Sequence, residues 1–336
     1  MMGVYIIAEV GVNHNGDVDI AKKLIKMAKE AGCDCVKFQV FSADKLVTLD
    51  APKARYQIEN TCNNDTQYTM LKKLELGFED CLALKNYCRE CQIDFLATPF
   101  DEEAVDMLER LKVDSYKISS GDITNKPLLQ YIASKGKKIF LSTGMSDIEE
   151  VEKAVGWITD AGNHNIVLFH CTSNYPAAYD SVNMKAMLVL KEKFQCPVGY
   201  SDHTNGIEVP ILAVAYGAEV VEKHFTFDKG ADGPDHKASL DIEELKQMVS
   251  SIRNIEAAIG DGKKCPNEIE KENRKIVRKS LVWKISKKQG DIISDSDICF
   301  KRPGTGMLPE ELNLVVGKRL KVDCVENTLI RRDDFE

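Results

Sequence analysis

No stretch of this 336-residue sequence stays apolar for the roughly 20 residues that a membrane helix requires. A helical membrane span is therefore not expected. The N-terminus, MMGVYIIAEVGVNHNG, lacks a basic region and meets Glu9 after a short apolar run, so it reads as a buried strand and not as a secretion signal. A disulfide framework is missing too: the eleven cysteines are an odd number, scattered from Cys33 to Cys324 with no spacing of a small secreted domain. The single C-x-x-C, Cys88 to Cys91, falls in a helical pattern without a second pair, which points to buried or incidental thiols rather than zinc or redox use. A reducing cytoplasm is the expected compartment. There is no basic excess, since 45 Lys and Arg face 53 Asp and Glu for a net charge of -8. That balance opposes non-specific binding to nucleic acid or anionic lipid, so any anionic ligand must be held by a local cluster. Finally, no G-x-G-x-x-G follows the first apolar run, which weighs against a dinucleotide-binding doubly wound sheet.

What the sequence does have is core-forming material, 43% hydrophobic residues, in a regular alternation. Short apolar runs read as strands at Val4 to Val10, Cys35 to Phe41, Asp94 to Thr98, Ser115 to Ser119, Ile139 to Thr143, Ile166 to Cys171, Val198 to Ser201 and Val220 to Phe225. Helical patterns separate them. Asp19 to Ala31 carries an apolar stripe ended by Gly32, and Ser146 with Glu149 has the spacing of a capping box. Eight strand-then-helix units over roughly 260 residues match the usual size of a (β/α)8 barrel. One connection, Ser42 to Gly77, is far longer than the usual few residues and is expected to act as a substrate-covering lid. The catalytic barrel is placed at 1–262, a charged linker with little apolar periodicity at 263–279, and a small, mostly β domain at 280–336. In that last domain Leu281 to Ile285 and Leu320 to Val322 look strand-like.

Strand residues of one parity point into such a barrel, and those near the C-terminal strand ends face the active-site mouth. Glu9, Lys37 with Gln39, Thr98, Lys117 with Ser119, Ser201 with His203, and Glu222 with His224 all occupy such positions. His203 and His224 end neighbouring strands roughly 4.8 Å apart. Two imidazoles that leave positions open for water and substrate oxygens suit a divalent Lewis acid such as Mn²⁺ better than a closed zinc site. His170 and His236 are weaker candidates, and His164 reads as loop surface. Lys37 and Lys117 need anionic partners, because an unpaired buried ammonium is strongly disfavoured. That partner is either a phosphate- or carboxylate-bearing ligand, assisted by Ser119-Ser120-Gly121, Ser142-Thr143-Gly144 and Thr98, or one of Glu9, Glu222 and Asp122. Glu9 is available as an acid or base. The residues alone give a metal-dependent barrel enzyme for a small, multiply anionic ligand, without naming the reaction.

Nine motifs in order add a resemblance. They are I-A-E-V-G-V-N-H-N-G (Ile7 to Gly16), K-F-Q (Lys37 to Gln39), A-T-P-F-D (Ala97 to Asp101), K-I-S-S-G (Lys117 to Gly121), S-T-G-M (Ser142 to Met145), G-Y-S-D-H (Gly199 to His203), E-K-H-F-T (Glu222 to Thr226), G-P-D-H (Gly233 to His236) and K-R-P-G-T-G (Lys301 to Gly306). Together the chain resembles the N-acetylneuraminate (sialic acid) synthase family over nearly its whole length, including a C-terminal antifreeze-like (SAF) domain. The resemblance implies a TIM barrel that condenses phosphoenolpyruvate with an N-acylated hexose in its aldehyde form. It implies Mn²⁺ at His203 and His224, with Mg²⁺ or Co²⁺ as alternatives. Lys37, Thr98, Lys117, Ser120 and Ser201 would bind phosphoenolpyruvate; Glu9 and Asp122 would be catalytic; Gln39, Asn174, Tyr175 and Asp235 would contact the sugar. Arg302 would reach the N-acyl group across a domain-swapped homodimer. Asp122 departs from the family, which commonly has glutamate there, one methylene longer. N-acetylmannosamine, giving N-acetylneuraminate, is the first expectation for the acceptor, with a 2,4-diacetamido-6-deoxy-mannose sugar leading to legionaminic acid as the alternative. A different metal aldolase and a non-catalytic carbohydrate- or ice-binding protein are the readings from other classes.

Overall fold

The computed structural model describes residues 3–61 and 65–336 and falls into two compact units, Met1–Gly260 and Asp261–Glu336. In the first unit the strands are β1 (Tyr5–Gly11), β2 (Cys35–Val40), β3 (Asp94–Pro99), β4 (Ser115–Ile118), β5 (Lys138–Ser142), β6 (Ile166–Cys171), β7 (Val198–Asp202) and β8 (Val220–His224). Each pairs in parallel with its neighbours in the order β3-β2-β1-β8-β7-β6-β5-β4, and β3 lies against β4 to close the ring. This is the expected (β/α)8 barrel. Every strand end lies within one residue of the sequence expectation, and β6 matches it at both ends.

The alternation along each strand sorts residues between two cores. Ile7, Cys35, Leu96, Phe140, Val167, Phe169 and Val220 plug the barrel interior. Ile6, Ala8, Val36, Phe38, Leu141, Leu168 and Val221 face the helices in the larger core. Above the apolar plug, the next inward residues are the ionic and hydroxyl groups of the strand ends. The barrel therefore has an oily base and a charged mouth.

The helices of this unit are α1 (Val18–Glu30), α2 (Ala43–Leu46), α3 (Arg55–Thr61), α4 (Gln67–Lys72), α5 (Phe78–Glu90), α6 (Glu102–Arg110), α7 (Lys126–Ala133), α8 (Ile148–Asp160), α9 (Lys185–Phe194), α10 (Glu208–Ala215) and α11 (Ile242–Ile259). Asp17 caps α1 by accepting from the Asp19 and Ile20 amides at 2.7 and 3.1 Å, one residue earlier than the sequence pattern placed the start. The capping box of α8 is Asp147 with Glu150, not Ser146 with Glu149: the Glu150 amide donates to Asp147 at 2.9 Å and the Asp147 amide to Glu150 at 3.1 Å. Both registers offer a glutamate three residues on. The carboxylate is the stronger acceptor, and Ser146 instead donates to the Gly144 carbonyl.

The long β2 connection is not an open loop. It folds into α2, α3 and α4, with residues 62–64 of the expected lid outside the described residues. Met70, Leu71 and Leu74 bury themselves against Val12 and Phe41 as a satellite core, each contributing about 1.5–3 kcal/mol relative to exposure. The insertion also approaches Gly16 very closely. That residue has φ +76°, and a Cβ there would sit 2.3 Å from the Lys73 carbonyl oxygen, so the turn after β1 admits only glycine. Asn60 donates to the Pro234 carbonyl at 2.6 Å, tying the insertion to the loop after β8.

The second unit corrects the expected linker. Residues 268–277 form α12 (Glu268–Val277), capped by Asn267 and laced with Lys-to-Glu pairs. Its apolar residues Ile269, Ile276 and Val277 are exposed, which is why no buried stripe marked it in the sequence. Beyond it, β9 (Ser280–Trp283) and β10 (Ile298–Lys301) pair antiparallel. The strand expected at Leu320 to Val322 is reduced to an isolated bridge between Leu320 and Phe335. Leu281, Trp283, Ile293, Met307, Val315 and Ile330 form this unit's own core.

Candidate functional site

At the barrel mouth, backbone register puts Glu9 level with Lys37 on one side and with His224 on the other. Ser201 is level with Glu222. These groups are buried, with Glu9 only 1% exposed and Lys117 3% exposed. Lys37 Nζ lies 2.9 Å from Glu9 Oε1 and 3.8 Å from Glu222 Oε1. Lys117 Nζ lies 3.0 Å from the same Glu222 oxygen, to which Ser201 also donates at 2.9 Å. Lys37 donates further to Thr98 Oγ1 at 3.3 Å, and Gln39 to Glu9 Oε1 at 3.2 Å. The two lysines expected at the mouth thus have carboxylate partners of their own. Two of the three foreseen carboxylates serve, and Asp122 does not: it accepts from Ser119 Oγ at 2.7 Å and forms no ion pair among the described residues.

This wiring separates the two glutamates. Burial would raise Glu222, but Lys117 and Lys37 outweigh it and hold the carboxyl well below its ordinary range. Glu9 moves the other way. Burial pushes it up, Lys37 only partly offsets that, and the charge on Glu222 adds to the rise. Burial lowers Lys117, against the pull of Glu222, whereas at Lys37 the two carboxylates outweigh burial and raise it. Each glutamate keeps one buried oxygen, Oε2, with no hydrogen-bond partner. Ser142 Oγ, at the end of β5, is likewise buried and unpartnered. A buried polar atom left this way is costly unless a ligand completes it.

His203 and His224 do come together, with ring centroids 5.4 Å apart. His203 Nδ1 is 2.8 Å from the Thr172 carbonyl, so it carries the proton and leaves Nε2 as a lone-pair donor. His224 Nδ1 is buried without a partner. Burial, followed by His203 and Lys37, lowers the proton affinity of His224 far below the ordinary histidine value. At His203 burial acts the same way but is outweighed by Cys171, whose Sγ lies 3.7 Å from Nδ1. Gly11 (φ +54°) leaves an opening at which a Cβ would be 3.3 Å from both Glu9 Oε1 and His224 Cε1. An unpartnered imidazole nitrogen beside a second imidazole oriented by a carbonyl fits a divalent cation held by two protein ligands, with positions left for water and substrate oxygens. Among the described residues no third His, Cys, Asp or Glu joins the pair as a closed cage would require.

Among the other histidines, His14 Nδ1 accepts from the Gly16 amide at 3.0 Å while its Nε2 is buried without a partner. His170 Nε2 contacts the Val182 carbonyl at 2.7 Å, His236 bonds Thr226 and Asn15, and His164 is exposed. Of the expected sugar contacts, Tyr175 packs on His203 at 4.1 Å and Asp235 is buried, pushed up to about 6 by burial and by Glu9. Gln39, Tyr175, His224 and Asp235 line one cavity. Asn174, although next to Tyr175 in the chain, is exposed and does not line this cavity. Ser120 accepts from the Gly144 amide at 2.9 Å, beside Cys171. Arg302 is exposed in the second unit, just after β10.

Several features of the site were not singled out from sequence. Glu222 was placed at the mouth by its parity with His224 and named as one of three possible lysine partners, but not as the shared partner of both lysines. Cys171 shares the inward parity of Phe169, a readable signal. Tyr56, stacked on Tyr175 at 4.9 Å, and the cavity-lining Met70, Leu71 and Leu74 come from the insertion, and no local pattern aimed them at the mouth.

Residues 24–264 match the NeuB family and residues 288–336 the SAF domain. The chain is 48% identical over 339 residues to the N,N'-diacetyllegionaminic acid synthase of Legionella pneumophila, covering 100% of this chain and 95% of that protein. It is 47% identical to the enzyme of the same name from Campylobacter jejuni, with 98% and 100% covered. The crystal structure of N-acetylneuraminic acid (sialic acid) synthetase from Leptospira borgpetersenii, in complex with citrate, superposes with a TM-score of 0.72 at 36% identity, over 81% of this chain and 90% of that one.

Proposed function

Since the chain belongs to the NeuB family, a family of phosphoenolpyruvate-dependent synthases that build acidic sugars, we propose that its acceptor is a 2,4-diacetamido-6-deoxy-mannose sugar and its product a legionaminic acid. This replaces the first expectation, N-acetylmannosamine: the relatives at 48% and 47% identity are both named for legionaminic acid, whereas the sialic acid synthetase stands at 36%. The non-catalytic reading gives way as well, because those synthases match over essentially the full chain.

The observation that carries the chemistry is the buried Glu9–Lys37–Glu222–Lys117 array, with its two unpartnered carboxylate oxygens, beside the histidine pair. Lys37 and Lys117, with Thr98, Ser120 and Ser201, would hold the phosphate and carboxylate of phosphoenolpyruvate. Those lysines are already balanced by two carboxylates, so an arriving polyanion makes the mouth net negative. The carboxyl that yields is the one whose proton affinity is already raised, Glu9. Glu9 would therefore enter the complex able to give and retake a proton as C3 bonds to the acceptor aldehyde carbon and water adds at C2. Collapse of that adduct releases phosphate and leaves the 2-keto acid. His203 and His224 would hold a divalent cation, Mn²⁺ first among candidates, which when bound polarises the acceptor's aldehyde oxygen. Gln39, Asn174, Tyr175 and Asp235 would orient the sugar. Asp122, bonded to Ser119, would act on Ser120 and its loop more readily than on the reacting carbon.

Met70, Leu71, Leu74 and Val12 give the cavity an apolar wall, which suits a sugar bearing a methyl at C6 and a second acetamido group. Incubation with phosphoenolpyruvate and both acceptors, read by product mass and phosphate release, tests the assignment. We expect kcat/KM to favour the diacetamido sugar by about 10–100-fold, the discrimination a hydrophobic pocket supplies. Equal or better use of N-acetylmannosamine would return the assignment to N-acetylneuraminate.

Arg302 is proposed to complete the sugar site of a second copy in a domain-swapped homodimer. Arg302→Ala should then raise KM for the sugar far more than for phosphoenolpyruvate. Subunit exchange between inactive Glu9→Gln and Arg302→Ala proteins should leave half the dimers mixed, with about a quarter of all sites carrying neither lesion. No gain over the average of the two separate mutants would mean that each Arg302 serves its own barrel.

A further inference from the structure

β7 and β8 bring a second charged pair to the sheet, on the face that the chemistry does not use. Asp202 directly precedes His203 and Lys223 directly precedes His224, and the two are register partners across the strands. Strand alternation turns both out of the barrel interior into the layer between sheet and helices, beside Tyr200 and Val221 on those strands and Phe225 just after β8. Lys223 is 0% exposed and Asp202 1%. They pair directly, and Lys223 also donates to the Thr204 carbonyl. Thr204 closes the ring: its amide donates to Asp202 Oδ1 at 3.1 Å and its hydroxyl reaches both Asp202 oxygens at 3.0 Å. None of the three lines the cavity at the mouth.

An ion pair in such a layer is poorly explained by stability, because well-packed apolar side chains there are often as stable or more so. It is better explained by what it holds still. The network wraps residues 202–204 tightly around His203 and ties that turn to the strand that ends in His224. His203 is then fixed from its other side by its carbonyl, which accepts from the Ala177 amide at 2.8 Å, and by its Nδ1 on Thr172. We infer that Asp202, Lys223 and Thr204 are positioning residues that set the separation and orientation of the two imidazoles for a divalent cation. They act through His203 and His224 without touching substrate. The inference rests on the reading of those histidines as metal ligands and adds to it the device that spaces them.

The test measures Mn²⁺ affinity of the metal-stripped full chain by paramagnetic resonance of the free ion, alongside Tm without metal. Lys223→Met should weaken Mn²⁺ binding by about 10–100-fold, the usual effect of removing an outer partner of a metal ligand, and should lower Tm. The double variant Asp202→Leu/Lys223→Met should recover much of the Tm, since no charge is left unpaired, and should not recover the affinity. Thr204→Val should weaken Mn²⁺ binding by a smaller factor, and it carries the test with the double variant if Lys223→Met does not fold. Wild-type Mn²⁺ affinity in the folded double variant or in Thr204→Val would overturn the inference and leave the pair a packing feature. If the unaltered protein shows no saturable Mn²⁺ binding that His203→Ala removes, the metal reading itself fails, and the positioning role with it. That outcome is told apart because it needs no clamp variant.

Discussion

Stripping divalent cations from the protein should reduce phosphate release by about a thousandfold, the rate equivalent of the several kcal/mol that a Lewis acid contributes, and Mn²⁺ should restore it. His203→Ala and His224→Ala should each reproduce the loss without rescue by metal. Each is expected to remain folded, because neither ring is part of the apolar cores of the barrel. The two variants differ in one informative way. His203 is held by Thr172 and sits beside Cys171, while His224 Nδ1 has no protein partner to lose. Removing His224 should therefore disturb the surroundings less for the same loss of turnover. Full activity of the metal-free protein would refute the assignment.

Glu9→Gln should lower kcat by about 10²-fold or more, as expected for a group that moves a proton in the transition state. The substitution keeps the shape and removes the charge and basicity. It leaves Lys37 with Glu222 at 3.8 Å as its remaining carboxylate, so the mouth becomes more positive and KM for phosphoenolpyruvate should hold or fall. A kcat near that of the unaltered protein, together with a lowered Tm, would instead make Glu9 a charge-balancing partner of Lys37. The split between kcat and KM separates the two roles, since a group that only balances charge acts on binding and stability.

Much of this was legible in the sequence because it is locally determined. Strand alternation has a period of two, so the parity of Glu9, Lys37, Lys117, Ser201 and His224 follows from neighbouring residues alone, as does the recurrence of strand and helix that makes a barrel. The C-terminal positions of these residues on their strands placed them at the mouth. Local signals were weaker where two registers compete, as at Ser146 and Asp147, or where a helix has no buried stripe, as in α12. What the sequence could not determine is which partner each charge takes. Lys117 and Glu222 are 105 residues apart and meet only because the ring closes, and the same closure makes Glu222, rather than Asp122, the hub for both lysines. The insertion is the other case. Tyr56, Met70, Leu71 and Leu74 belong to short helices whose direction is set by the close approach at Gly16 and by burial against Val12 and Phe41. Residue order thus determined the layer and height at which each group would stand, while the choice among carboxylates at one height and the covering of the mouth were decided by packing, because both depend on contacts between segments far apart along the chain.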